Sequence, residues 1–340
     1  MSTCLQARMR LASNLYHLSL LEPRIVSKPK ILQIGSLGGS PGADQYLREH
    51  YDVIALWQSD DRDQALRQAS DVEVVVTSAM HGCKADVIDA LPNLKFICNW
   101  GVGYDAIDLE AANKRGVAIA NTPDVLNDCV ADEAWGLLIA CARHIPLGDR
   151  FVRDNRWENH DGNIPLGTRV SGKKLGIVGL GRIGMAIAKR GEGFDMQIAY
   201  HNRSARTDVS YTYMDKLTDL AHWADFLVVA TVGGAGTQKL ISRDVLAALG
   251  PTSYIINIAR GPVIDETAMV ELLQNGQLGG AGLDVFENEP AVPHELKRLD
   301  NVVLMPHVGS ATTETRQAMF DLVIANLQAF FEGKALLTPV

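Results

Sequence analysis

Cysteine is scarce: five residues, Cys4, Cys83, Cys98, Cys129 and Cys141, are scattered over 340 positions with no C-x-x-C pair. That spacing excludes a zinc knuckle or a dithiol redox site and suits a reduced, cytoplasmic setting with no metal centre. No run is long and apolar enough to span a membrane. The longest charge-free stretch, Val245 to Ala259, is broken by Gly250 and Pro251, and it falls short of the ~20 residues a spanning helix needs. Basic charge is not in excess either. Thirty-two Lys and Arg against 40 Asp and Glu leave a net charge of −8, the wrong sign for gripping duplex phosphates or an anionic bilayer. Internal repeats and low-complexity tracts are missing as well. What is present, 47% apolar and 21% charged residues, fits a folded enzyme of two domains at roughly 150 residues each. Arg8 and Arg10, with no acid before Glu22, give the amino-terminal residues 1–28 the look of an extension with a faint transit-peptide flavour.

Short β-branched runs alternate with helical stretches. Strands are expected at 30–34, 52–56, 72–77, 96–100 and 117–121, then at 175–178, 197–201, 226–230, 254–258, 282–285 and 302–305. Continuous apolar strands separated by helices imply parallel sheets covered on both faces, and eleven strands are too many for one ordinary sheet. The fold class is therefore α/β with two doubly wound parallel-sheet units. A helix with Thr122 as cap and Pro123 at its first position should bridge them, and a last helix at about 314–331 should pack back on the first unit.

Three glycine clusters compete for a dinucleotide site. Gly179-Leu180-Gly181-Arg182-Ile183-Gly184 has the strongest context, because the buried-strand run 175–178 precedes it and Ile183, Ala186 and Ile187 continue as one apolar helical face. Glycine there permits a tight turn and close pyrophosphate approach, and the helix amino end offers free N–H groups. Gly101-Val102-Gly103 follows a strand too, yet the next strand comes too soon for a nucleotide unit, so a turn donating N–H groups to a small anion is the better use. Gly35 to Gly39 reads as a plain loop. Past the following strand, an NAD site would place an acid on the ribose hydroxyls. This chain has Asn202-Arg203-Ser204 and no acid, so Arg203 can pair with a 2′-phosphate while Asn202 and Ser204 hydrogen-bond to it. NADP is favoured.

Candidate chemistry lies at later strand ends, which share one crevice in an open parallel sheet. Arg260 follows 254–259 and suits a bidentate grip on a carboxylate. Asp284 and Glu289 follow at 282–289, and His307 comes after 302–306; a histidine beside a carboxylate titrates upward and can carry the proton that accompanies a hydride. Among the other histidines only His81, after the strand at 72–77, has a comparable setting.

Taken together, Asn99-Trp100-Gly-Val-Gly-Tyr-Asp105, Asn121-Thr-Pro123, Gly179 to Gly184, Asn257-Ile-Ala-Arg-Gly261, Gly282 to Pro290 and Pro306-His-Val-Gly-Ser310 resemble the successive signatures of the D-isomer-specific 2-hydroxyacid dehydrogenases, over about residues 29–340. The likeness is greatest to the NADP-preferring branch of glyoxylate/hydroxypyruvate and hydroxyphenylpyruvate reductases. It implies a flavodoxin-like substrate domain split between 29–121 and 311–340, a Rossmann domain at 122–310 inserted between, and a homodimer formed through the latter. It gives Arg260 the substrate carboxylate and carbonyl, His307 the general acid/base role, Glu289 its tuning and Asp284 the nicotinamide end. It adds Thr231, Ile258, Ala259 and Gly309 to the residues lining the cofactor, and the backbone of Val102 and Gly103, which agrees with the anion-turn reading. Strand-end geometry adds Met80 and Trp100 as walls that would favour a short 2-oxo acid such as glyoxylate or hydroxypyruvate. The chain departs from the pattern at Thr231-Val-Gly233-Gly234-Ala-Gly236, where many relatives have a Cys-Pro turn. NAD as cofactor, a bulkier aryl or sugar-derived 2-oxo acid, and a nucleotide-sensing corepressor are the alternatives; the intact Arg260, Glu289 and His307 set argues for catalysis.

Overall fold

The computed structural model describes residues 28–340, so the expectations placed on Arg8, Arg10 and the amino-terminal extension lie outside the described residues. Twelve strands form two sheets. The first holds β1 (Lys30–Gln33), β2 (Asp52–Ala55), β3 (Val74–Ser78), β4 (Phe96–Trp100) and β5 (Ala118–Ala120) in the order β2-β1-β3-β4-β5. The second holds β6 (Lys174–Val178), β7 (Gln197–His201), β8 (Thr212–Tyr213), β9 (Phe226–Val229), β10 (Tyr254–Asn257), β11 (Gly280–Leu283) and β12 (Val302–Leu304) in the order β12-β11-β10-β9-β6-β7-β8. Every pairing is parallel. The winding of the first sheet is flavodoxin-like and that of the second is Rossmann. Both reverse direction at a switch point, β1/β3 and β6/β9, where a crevice opens outside the carboxyl strand ends.

The central strands explain why the sequence reads as apolar runs. Every residue of β3, β4, β9 and β10 is buried, because helices cover both faces. Val74, Val75 and Val76 are all 0% exposed, and each stabilises the sheet by about 1.5–3 kcal/mol. The largest apolar cluster runs from Ile31, Val76 and Phe96 in the first sheet, through Val130, Ala134 and Leu138 of the helix Asn127–Ala142, to Ile177, Val228 and Ile256 in the second. The last helix, Thr313–Phe331, packs on the first unit with Phe330 stacked on Phe96, ring centroids 5.2 Å apart. Beyond it the chain end pairs with β5, Asn121 N–H donating to the Thr338 carbonyl at 3.2 Å.

Three local expectations need correcting. The bridging helix starts at Asn127, not after Thr122. Asp124 takes a left-handed φ of 68°, which interrupts the turn, and the Thr122 hydroxyl instead accepts the Gly101 N–H at 3.0 Å. The strand read at 282–285 is β11 at Gly280–Leu283, its apolar signal diluted by glycine at 279, 280 and 282. The two-residue β8 is too short to leave a pattern. Among the described residues, no helix is long and apolar enough to cross a membrane, no three metal-ligating side chains cluster, and Cys83, Cys98, Cys129 and Cys141 are free thiols.

Candidate active site

The glycine loop after β6 is built for close approach. Gly179 has a left-handed φ of 96°, and a Cβ there would lie 2.7 Å from the Thr231 backbone at the end of β9. A Cβ on Gly184 would strike the Gly179 carbonyl at 2.3 Å, which welds the helix Arg182–Glu192 to the strand end. By contrast a Cβ on Gly181, the amino cap of that helix, would meet nothing within 4 Å. Open space at the positive end of a helix beside a side-chain-free cap fits a dinucleotide pyrophosphate. Leu180 is buried and Ile183 half-buried under the loop, while Arg182 reaches sideways to Asp124 at 3.0 Å.

Beyond β7, the Asn202 Oδ1 accepts the Leu180 N–H at 2.7 Å and fastens this segment to the glycine loop. Arg203 and Ser204 are exposed. Arg206, which the sequence reading passed over, donates from Nη1 to the Leu180 carbonyl at 2.8 Å and pairs with Asp208. It therefore braces the loop, whereas the neighbouring guanidinium of Arg203 faces solvent.

The chemistry-bearing groups gather across the cleft. Arg260 follows β10, where Asn257 organises the loop: its Oδ1 accepts the Ala259 N–H at 3.0 Å and its Nδ2 donates to the Arg260 carbonyl at 3.0 Å. Ile258 and Ala259 are buried beneath it. His307 follows β12 with a left-handed φ of 56°. Asp284, at the end of β11, holds that turn in place. Its backbone carbonyl accepts the His307 N–H at 2.8 Å, Oδ1 accepts the Val308 N–H at 2.7 Å, and Oδ2 accepts the Gly309 N–H at 2.9 Å. Burial raises the Asp284 carboxyl above its ordinary value, with the two N–H donors opposing. Glu289 Oε2 lies 2.7 Å from His307 Nδ1, and its Oε1 accepts the Phe286 N–H at 3.0 Å. One cavity of about 450 Å³ is lined by Ala79, Met80 and Asp105 from the first unit and by Arg260, Glu289 and His307 from the second.

The Gly101–Gly103 turn ends β4 beside this cavity. Asn99 Nδ2 donates to the Gly101 and Gly103 carbonyls at 3.1 and 2.9 Å, and Asn121 Nδ2 donates to the Val102 carbonyl at 2.8 Å. With its carbonyls drawn back, the turn is left to present N–H groups, and no partner for those of Val102 or Gly103 is found among the described residues. Asn99 and Asn121 do this through side chains the sequence reading quoted but gave no task. Met80 stands at the rim, 65% exposed. Trp100 does not wall the cavity: it is 8% exposed, with the Arg316 guanidinium 4.6 Å above its ring. The expectation that it crowds the substrate is corrected, because the alternation along β4 sends its ring under the last helix. His81 is likewise outside the cavity, its Nδ1 2.7 Å from the Ser78 hydroxyl.

Glu289 gives the site a pH signature. Burial alone would raise its carboxyl, but the His307 contact, the Phe286 N–H and the nearby Arg260 charge outweigh this and hold it below the ordinary range. A depressed carboxyl contributes stability that is present in full above the unfolded value of about 4.3 and is lost as pH falls through the folded value. Glu289→Gln is therefore expected to melt below the parent at pH 7 and to converge with it as pH drops below about 4. A gap that stays constant from neutral to acid pH would refute this linkage.

A glycine loop on a Rossmann sheet, facing an arginine and a carboxylate-paired histidine across an interdomain cleft, defines a nicotinamide-dinucleotide-dependent oxidoreductase. A model of the D-isomer specific 2-hydroxyacid dehydrogenase NAD-binding domain matches residues 135–309. The chain is 48% identical over 298 residues to a hydroxyphenylpyruvate reductase of Plectranthus scutellarioides, covering 87% of this chain and 95% of that one. It is 46% identical over 295 residues to a glyoxylate/hydroxypyruvate reductase A of Arabidopsis thaliana, covering 86% and 94%. Among solved structures, an NADPH-dependent glyoxylate/hydroxypyruvate reductase from Sinorhizobium meliloti, in complex with NADP and malonate, superposes with a TM-score of 0.84 at 42% identity over 92% of this chain and 97% of that one. The chain belongs to the D-isomer-specific 2-hydroxyacid dehydrogenases.

Proposed function

We propose that the protein reduces a small 2-oxo acid of the glyoxylate or hydroxypyruvate type to the D-2-hydroxy acid, with NADPH as the preferred donor. The carrying observation is the shared cleft, which sets the Arg260 guanidinium, the Glu289–His307 pair and the Gly101–Gly103 turn around one cavity. In this reading the N–H groups of Val102 and Gly103 take the substrate carboxylate, and Arg260 binds carboxylate and carbonyl together. His307 delivers the proton, Glu289 holds its ring, and Asp284 fixes the His307 turn while bordering the nicotinamide end. When bound, the reduced nicotinamide supplies the hydride. The residues holding it are Gly179 to Gly184, Asn202, Arg203, Ser204, Thr231, Ile258, Ala259 and Gly309. NADP is supported by the absence of an acid after β7 and by the solved relative in complex with it.

A second reading, a bulkier substrate such as 4-hydroxyphenylpyruvate, draws on two facts. Trp100 leaves the cavity wall, and Met80 at the rim is free to swing aside. Cofactor oxidation measured across glyoxylate, hydroxypyruvate, 4-hydroxyphenylpyruvate and 2-ketogluconate, with NADPH and then NADH, tests both. A clear preference for the aryl substrate would overturn the short-acid reading.

For the cofactor, Arg203→Ala is expected to cost NADPH about 1.5–3 kcal/mol of binding, the worth of a hydrogen bond to a charged group, or roughly ten- to hundredfold in affinity. NADH should be little affected. Dissociation constants from cofactor fluorescence check this independently of turnover, and equal use of both cofactors by the parent enzyme would sink it. We also read the protein as a split substrate domain, 29–121 with 311–340, around a nucleotide domain at 122–310, assembled as a homodimer. The exposed Ile145, Val152, Trp157, Ile164 and Leu166 on the nucleotide unit support that assembly, since apolar side chains gathered on one segment mark an interface.

A further inference from the structure

Arg260 is already engaged by a carboxylate of its own chain. Asp105, two residues past the Gly101–Gly103 turn, receives Nε at 3.2 Å on both oxygens and Nη2 at 3.2 Å on Oδ1. Nη1 donates to the Ala259 carbonyl at 2.7 Å. The two side chains are 22% and 25% exposed, and the pair spans the cleft from one sheet's loops to the other's. Two glycines make room for it. A Cβ on Gly103 would lie 1.7 Å from Arg260 Nη2, and one on Gly233 would lie 2.7 Å from Arg260 Cγ and 2.9 Å from Asp105 Oδ2. Gly233 belongs to the Thr231–Gly236 segment, where the chain departs from the family pattern, and the pair accounts for a side-chain-free residue there.

We propose that Asp105 is a positioning residue that acts as an internal stand-in for the substrate carboxylate: it orients Arg260 in the empty cleft and is exchanged for the 2-oxo acid on binding. This rests on the reading of Arg260 as the substrate-binding guanidinium. A guanidinium offers five donors in a fixed fork, and the planar face aimed at Asp105 is the one that recognises a carboxylate bidentately. Substrate therefore competes with an anion tethered beside its own cradle. The exchange weakens binding, and it keeps an otherwise mobile side chain aimed at the cavity.

The test uses oxamate, an unreactive carboxylate analogue of a 2-oxo acid, as competitive inhibitor of the NADPH-loaded enzyme. Asp105→Asn and Asp105→Ala are expected to bind oxamate about three- to tenfold more tightly, the range for a partly exposed ion pair removed from competition. The KM for the 2-oxo acid should fall with it, while kcat falls as Arg260 loses its orientation. The NADPH dissociation constant should stay put. A merely structural clamp would do the opposite, raising KM and the oxamate constant together as the melting temperature drops, and that result overturns the proposal. So does an unchanged oxamate constant in both variants. Arg260→Lys separates the two readings. If it keeps full oxamate affinity, Arg260 does not hold the carboxylate and the functional reading falls. If it loses affinity while Asp105→Asn gains none, only the stand-in role falls.

Discussion

Replacing His307 is expected to lower turnover about 10²–10⁴-fold while leaving NADPH affinity largely intact, the usual weight of a general acid/base. Reduction of a 2-oxo acid creates an alkoxide that must be protonated, and His307 is the imidazole that reaches the cavity. Its Nδ1 faces Glu289 Oε2 at 2.7 Å. Because Glu289 is held ionised, the shared proton sits on Nδ1 and leaves Nε2 for the substrate side. The choice of substitution matters. His307 has a φ of 56°, a region that Asn enters more readily than Ala. His307→Asn keeps the backbone of this turn and removes the proton donor, so its turnover loss should match that of His307→Ala with a smaller drop in melting temperature. Glu289→Gln should slow the same step less, since the donor remains and only its anchor weakens. Near-normal turnover in both His307 variants would remove the residue from the mechanism.

Those two residues also show how much of the site was legible in the sequence. Strand ends of an open parallel sheet share a crevice, so Arg260, Glu289 and His307 could be brought together from the order of apolar runs alone, and the Gly179–Gly184 loop from its place between a strand and a helix. What escaped was set by side chains acting over distances no period records. Trp100 looked like a wall because it ends β4, yet its ring turns under Arg316 of a helix more than 200 positions away. Thr122 looked like a helix cap because Pro123 follows it, yet its hydroxyl is spent on Gly101. Asp105 carried no pattern at all: only the approach of Arg260, 155 positions later, shows what it faces. Arg206 was hidden by its neighbour Arg203, and which of two arginines braces the loop and which stays free depends on Asp208. Apolar periodicity fixes which strands stand together, and hydrogen bonds between distant loops decide what the residues at their ends do.

Arg260→Lys is the second large effect expected, with kcat/KM for the 2-oxo acid falling about 10²–10³-fold, equivalent to about 2.7–4 kcal/mol of transition-state binding. The charge is kept, so a purely electrostatic role would survive. The fork is lost: a lysine ammonium is a compact point charge that cannot donate in parallel to a carboxylate oxygen and a carbonyl oxygen. The local geometry adds to the loss. Arg260 is threaded between Gly103 and Gly233, whose missing side chains leave a slot for a flat guanidinium, and it is braced from behind by the Ala259 carbonyl at 2.7 Å. A tetrahedral ammonium on a flexible stem fills neither position. Since the guanidinium also polarises the carbonyl that becomes the alkoxide, kcat should fall along with a rise in KM, whereas a group that only bound the carboxylate would raise KM alone. Steady-state kinetics with hydroxypyruvate at saturating NADPH separate the two cases: an unchanged kcat would confine Arg260 to binding, and unchanged kcat and KM would remove it from the site altogether.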